Sequence, residues 1–250
     1  MTFKAMGIAS LAMLSSLTFA APTTYTFTTG TGSAMAYSEV ANLLGTTATV
    51  SGQFTYDPQA SQFGNALELG FGESAVIYLG TPPALAFSGL SGSVGGHSFS
   101  DPYGTVAIGN DRPESSGVQD VIHITADPTP KVGSNTTPSN YPRQLSTFEI
   151  GDYRLDNVRF FWLQGADGAD DFLTSTDLPA QLPAHAGVLA LDFVRISDPG
   201  NLANTPYYNN SVFFGNLLVQ PMSVPEPHQV WLSLLGMSLM ALKIRRDRSA

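Results

Sequence analysis

The stretch Thr47-Ala48-Thr49-Val50-Ser51-Gly52-Gln53-Phe54-Thr55-Tyr56, ended by Asp57-Pro58, decides the fold. Val50, Phe54 and Tyr56 share one face of its period-two alternation, and Thr49, Ser51, Gln53 and Thr55 share the other. Successive side chains of a β-strand point to opposite sides, so this is a strand with one buried and one wetted face. Pro58 removes a backbone donor and stops it. The same reading gives strands at 24–28, 75–79, 94–99, 105–108, 118–125, 145–153, 158–163, 188–196 and 212–219. Within 158–163, Val158, Phe160 and Trp162 lie on one face and Phe161 and Leu163 on the other, the pattern of a core strand. Only 34–44 offers an internal helix. About ten short strands punctuated by Gly, Pro, Asn and Asp predict one all-β domain, a β-sandwich or jelly roll, rather than alternating βα units. The polar stretch 127–141, rich in Pro, Thr, Ser and Asn, is read as a long loop within it.

Composition narrows the chemistry. The 250 residues carry no cysteine, which excludes disulfides, thiol nucleophiles and Cys-ligated zinc. The formal charge is -9, yet five of the eleven basic residues, Lys4 and four in the last eight positions, belong to the two ends. Between Ala21 and Val224 six basic residues face eighteen acidic ones, a net of −12. Such a body is repelled by phosphate backbones, so nucleic-acid partners are not expected.

The ends carry addresses. Residues 1–20 read as a signal peptide, with Lys4, an apolar run over 5–17 and the small residues Thr18 and Ala20 before Ala21-Pro22. Signal peptidase is expected to cut between Ala20 and Ala21. At the far end, residues 223–250 form a separate tail. Val224-Pro225-Glu226-Pro227 precedes an apolar run over 230–242 and the basic end 243–248, with Lys243, Arg245, Arg246 and Arg248. The prolines break any preceding strand and leave an extended, accessible segment. Thirteen apolar residues make a helix of about 20 Å, short for a hydrocarbon core of about 30 Å. Trp231 at one end and the basic cluster at the other would anchor a single transmembrane helix, basic end cytoplasmic.

This tripartite tail resembles the PEP-CTERM signal read by exosortases in bacteria that make extracellular polysaccharide. Pro225-Glu226-Pro227 stands for the recognition motif, 230–242 for the membrane segment and 243–248 for the basic end, which Asp247 interrupts. The resemblance implies sorting by an exosortase, processing near the motif, and passage through the inner membrane to the envelope or matrix. It covers the tail and leaves the module 21–222 unassigned. Two stretches of that module, 50–58 and the Leu178-Pro179 region leading into 188–194, resemble segments of exported PEP-CTERM β-sandwich proteins.

Candidate sites in the module are sparse. No G-x-S-x-G elbow, phosphate loop, dinucleotide glycine fingerprint or H-E-x-x-H is present. His97, His123 and His185 lack ligand spacing, and His123, between Ile122 and Ile124, is placed on a solvent-facing side. Asp167, Asp170 and Asp171 crowd around Gly168, and this cluster reads either as an ordinary turn or as a calcium site, the one cofactor considered. Tyr207 and Tyr208, in a polar segment, read either as rings folded onto the domain or as a carbohydrate-stacking pair. The expectation is a non-enzymatic surface or matrix protein with a structural or adhesive role among exopolysaccharide. A carbohydrate-binding module, or a polysaccharide hydrolase or lyase, are its alternatives.

Overall fold

The computed structural model describes residues 21–34, 39–45, 47–65, 75–78, 80–81, 84–114, 117–126, 147–163, 172–197 and 210–222. Along the chain these form β1 (Thr23–Thr28), β2 (Gly32–Ala34), α1 (Glu39–Leu44), β3 (Val50–Tyr56), β4 (Gln62–Asn65), β5 (Ala75–Tyr78), β6 (Gly80–Thr81) and β7 (Ala84–Leu85). They continue with β8 (Phe87–Val94), β9 (His97–Glu114), β10 (Gly117–Ala126), β11 (Glu149–Ile150), β12 (Tyr153–Leu163), β13 (Gly187–Arg195) and β14 (Ser211–Pro221). Eight strands close into an antiparallel barrel in the order β1, β3, β8, β9, β10, β12, β13, β14 and back to β1.

The expected all-β class is what the chain adopts, but the sandwich or jelly roll gives way to a barrel. Alternation along a strand shows which face is buried and cannot show whether the outermost strands meet. Closure rests on β9. Its early part pairs β8, from Val94↔His97 to Phe87↔Gly104, and from Gly104 onward it pairs β10. At this hand-over a Cβ on residue 104 would lie 2.3 Å from the Thr125 carbonyl oxygen and 2.8 Å from the Phe87 ring, so only glycine fits. β5 and then β4 continue from the later part of β9.

Two expected strands prove to be hairpins. The stretch 94–99 turns at Gly95-Gly96, whose φ angles of 53° and 84° suit the tight turn between β8 and β9. The stretch 145–153 turns at Gly151-Asp152, between β11 and β12. Of the helix expected over 34–44, residues 39–44 form α1, Ala34 instead pairs β14 as the end of β2, and 35–38 lie outside the described residues.

Inside, rings fill the barrel. Phe160 of β12 meets Phe27 of β1 at 5.2 Å, Phe54 of β3 at 5.2 Å and Phe87 of β8 at 5.9 Å between centroids. As expected for a core strand, Val158, Phe160 and Trp162 are fully buried. With aromatic side chains inward and hydroxyls outward on β1, β3 and β8, this wall inverts the pattern of a membrane-spanning barrel. No helix among the described residues is long and apolar enough to cross a membrane, and 230–242 lies outside them.

Both mouths are plugged. At one, α1 buries Val40 and Leu44, one turn apart, and Glu39 accepts a hydrogen bond from the Tyr153 hydroxyl at 2.6 Å. At the other lies an irregular strap, residues 172–186. Tyr56 donates to the Pro179 carbonyl at 2.7 Å and Tyr78 to the Thr176 carbonyl at 2.8 Å. The Leu182 amide donates to the Tyr25 hydroxyl at 3.4 Å, while Asp120 accepts from the Phe172 and Leu173 amides at 2.9 and 2.8 Å. Both chain ends of the barrel leave at this strapped mouth, since Tyr25 pairs Pro221 and the Met222 amide donates to Thr24.

Burial raises the pKa of Tyr25, Tyr56 and Tyr78 above the ordinary tyrosine value. A raised value means that their contribution to stability is full below pH ~10 and is lost as pH rises through the folded-state values. The urea midpoint is therefore expected to hold near pH 8 and to fall steeply above pH ~10. Tyr56→Phe, which strands the Pro179 carbonyl, is expected to cost about 1–3 kcal/mol at pH 8 and to flatten the alkaline fall. An alkaline limb unchanged in this variant would show that the strap does not depend on the hydroxyl.

Candidate functional site

A regular polar surface runs over the outer wall of β1, β3, β8 and β9. Ladder pairing places its residues in three rows across four strands. Thr28, Ser51, Ser93 and Ser98 make one row; Thr26, Gln53, Ser91 and Ser100 the next; Thr24, Thr55, Ser88 and Tyr103 the third. Eleven of these twelve carry a hydroxyl, the twelfth is Gln53, and none is charged. Strands lie about 4.8 Å apart and like-facing residues about 6.8 Å apart along a strand, so the wall is a regular lattice of donors and acceptors.

The local sequence explains how β8 contributes to two rows. Opposite Gln53 and Thr55 the register slips, with Gly89 at a φ of 63° inside a bulge. The extra residue turns Leu90 inward beside Phe87 and keeps both Ser88 and Ser91 outward. Beneath the wall, Gly52 and Gly92 let aromatic rings lie against bare backbone. A Cβ at 52 would stand 2.7 Å from the Phe27 ring, and one at 92 would stand 2.4 Å from the Phe99 ring. The short side chains over this floor leave an open groove of about 590 Å³, walled by Ser51, Gln53, Ser91, Ser93, Ser98 and Ser100. None of those six side chains hydrogen-bonds another described residue, whereas Thr24 and Thr55 bond each other at 3.2 Å.

A second cluster occupies the outer side of β12, β13 and β14. Asp192 takes both Arg159 nitrogens, Nε at 2.5 Å and Nη2 at 2.6 Å, and accepts the Ser211 hydroxyl at 2.5 Å. Burial raises the Asp192 pKa, against the pull of Arg159 and Ser211. The Arg159 guanidinium lies 5.0 Å over the Phe161 ring, which stacks on His123 at 4.5 Å.

His123 corrects the sequence reading. It does lie opposite Ile122 and Ile124, but it is buried, stacked on Phe161 and bonded to the Thr125 hydroxyl at 3.0 Å. An outward parity does not guarantee water when aromatic neighbours stand on the same side. His97 stacks on Phe148 and His185 packs against Phe172.

Of the residues assigned to signal cleavage, calcium, carbohydrate stacking and sorting, only Ala21 is described, exposed just before β1. Ala20, Asp167, Asp170, Asp171, Tyr207, Tyr208, the motif Val224 to Pro227 and Lys243, Arg245, Arg246 and Arg248 lie outside the described residues. Among the described residues no three of His, Asp or Glu gather where a metal could sit. The hydroxyl wall was missed in the sequence, although residues 40–56 and 84–100 contain no Asp, Glu, Lys or Arg. Fold and surface together define a closed all-β barrel with an uncharged hydroxyl wall. The chain matches no family model, no curated protein and no solved structure.

Proposed function

We propose that this chain is an exported protein of the cell surface or extracellular matrix, delivered by an exosortase, with a structural or adhesive role among exopolysaccharide. The uncharged hydroxyl wall carries the reading, because it is the surface that a hydrated, hydroxyl-rich matrix would meet. The paired ends support it. A chain held at the membrane by a signal peptide at one end and a sorting tail at the other would be tethered through the strapped mouth, leaving the wall free along the side of the barrel. Calcium at Asp167 to Asp171 belongs to this reading only as a stabiliser, and catalysis does not belong to it.

Expression of the full chain in an exosortase-bearing host, followed by fractionation and mass measurement, tests the assignment. The protein is expected in the envelope or matrix fraction, beginning at Ala21 and shortened near Pro227. Replacing Pro225, Glu226 and Pro227 together with alanine is expected to leave it in the inner membrane. Equal delivery of the altered chain to the matrix would overturn sorting by the tail.

A further inference from the structure

We propose that the groove in the hydroxyl wall is a binding site for an extended, uncharged polysaccharide. The proposal deepens the matrix reading and rests on it for the ligand's presence, while the binding is a property of the barrel itself. Three features of the wall select this ligand class.

The first is unspent hydrogen bonding. Ser51, Gln53, Ser91, Ser93, Ser98 and Ser100 face outward around the groove without side-chain partners among the described residues. A serine hydroxyl donates once and accepts twice, and Gln53 offers both roles, so the set can answer sugar hydroxyls of either polarity. The second is charge. No cation lines the groove to pair a uronate, sulfate or phosphate, and the chain's net charge of -9 repels polyanions. The third is preorganisation. Short side chains on a closed sheet, floored by Phe27 and Phe99 against Gly52 and Gly92, lose little rotamer freedom when a ligand lies on them. A protein partner is a poorer fit, because the groove offers no arginine, its one lining ring, Phe99, is buried beneath the serines, and the backbone groups beneath it are already paired in the sheet.

Affinity electrophoresis of the full chain, purified in mild detergent, tests this with hydroxyethyl cellulose, galactomannan and alginate cast separately in the gel. At least one neutral polymer is expected to retard the protein, and alginate is not. Ser91→Glu combined with Ser98→Glu is expected to weaken retardation at least tenfold, with an unchanged melting temperature. Ile196→Glu, on an exposed residue after β13 and outside the groove, is expected to bind as wild type. Retardation by alginate alone, by none of the three, or equally by wild type and the double variant would overturn the proposal. Matrix delivery without glycan binding would sink this inference and leave the matrix reading standing, whereas binding by a protein that never reaches the matrix would do the reverse.

Discussion

Phe160→Ala is expected to lower the melting temperature by roughly 6–20 °C, from a loss of about 3–5 kcal/mol in a domain of this size. Phe160 is fully buried and reaches across the barrel from β12 to rings on β1, β3 and β8. Truncation would remove the apolar contact and leave a cavity between walls that cannot collapse, because each is held by its own ladder. Phe160→Leu should cost much less, since most of the volume stays. Leu218→Ala, at a site 44% exposed on β14, should stay within about 0.5 kcal/mol of wild type. Calorimetry and urea melts on the four proteins decide it; a loss below about 1 kcal/mol for Phe160→Ala would mean that the rings do not bridge the barrel.

How much of this could be seen in the sequence follows from the range of each signal. The buried faces of β3 and β12 were legible because period-two alternation is local, and Val50, Phe54, Tyr56, Val158, Phe160 and Trp162 are all at 0% exposure. Turns were less so. The pair Gly95-Gly96 sits between Val94 and Phe99, two apolar residues whose spacing hid the turn, and both proved buried on separate strands. Barrel closure depends on β9 exchanging β8 for β10 at Gly104, a contact between distant segments that no window of sequence contains. The wall needed register as well. Ser51, Gln53 and Thr55 read as outward and Ser93 and Ser91 pair with the first two, but Ser88 joins the same face only because of the bulge at Gly89. What remained visible was the lack of charge in 84–100, a negative signal that gains meaning once those residues share a face with β3.

The outer ion pair gives the other large effect. Arg159→Met is expected to cost about 3–5 kcal/mol at pH 7, because it leaves the Asp192 carboxylate, 2% exposed, without its cation. Burial already pushes the Asp192 pKa up, and Arg159 is the first influence holding it down. Without the arginine the carboxyl moves higher still. A carboxyl raised in the folded state contributes stability that is fully present below its unfolded value of ~3.9 and is lost as pH rises through the folded value. The Arg159→Met protein should therefore approach wild type toward pH 4 and fall furthest behind at neutral pH. Adding Asp192→Asn should recover most of the neutral-pH loss, since the amide removes the buried charge and can still accept the Ser211 hydroxyl. Urea melts of wild type, single and double variants from pH 4 to 8 measure all three. A single variant as stable as wild type at pH 7 would show that the pair is not a buried one. A double variant no better than the single would show that the loss comes from the packing of Arg159 over Phe161, 5.0 Å away, and not from the stranded carboxylate.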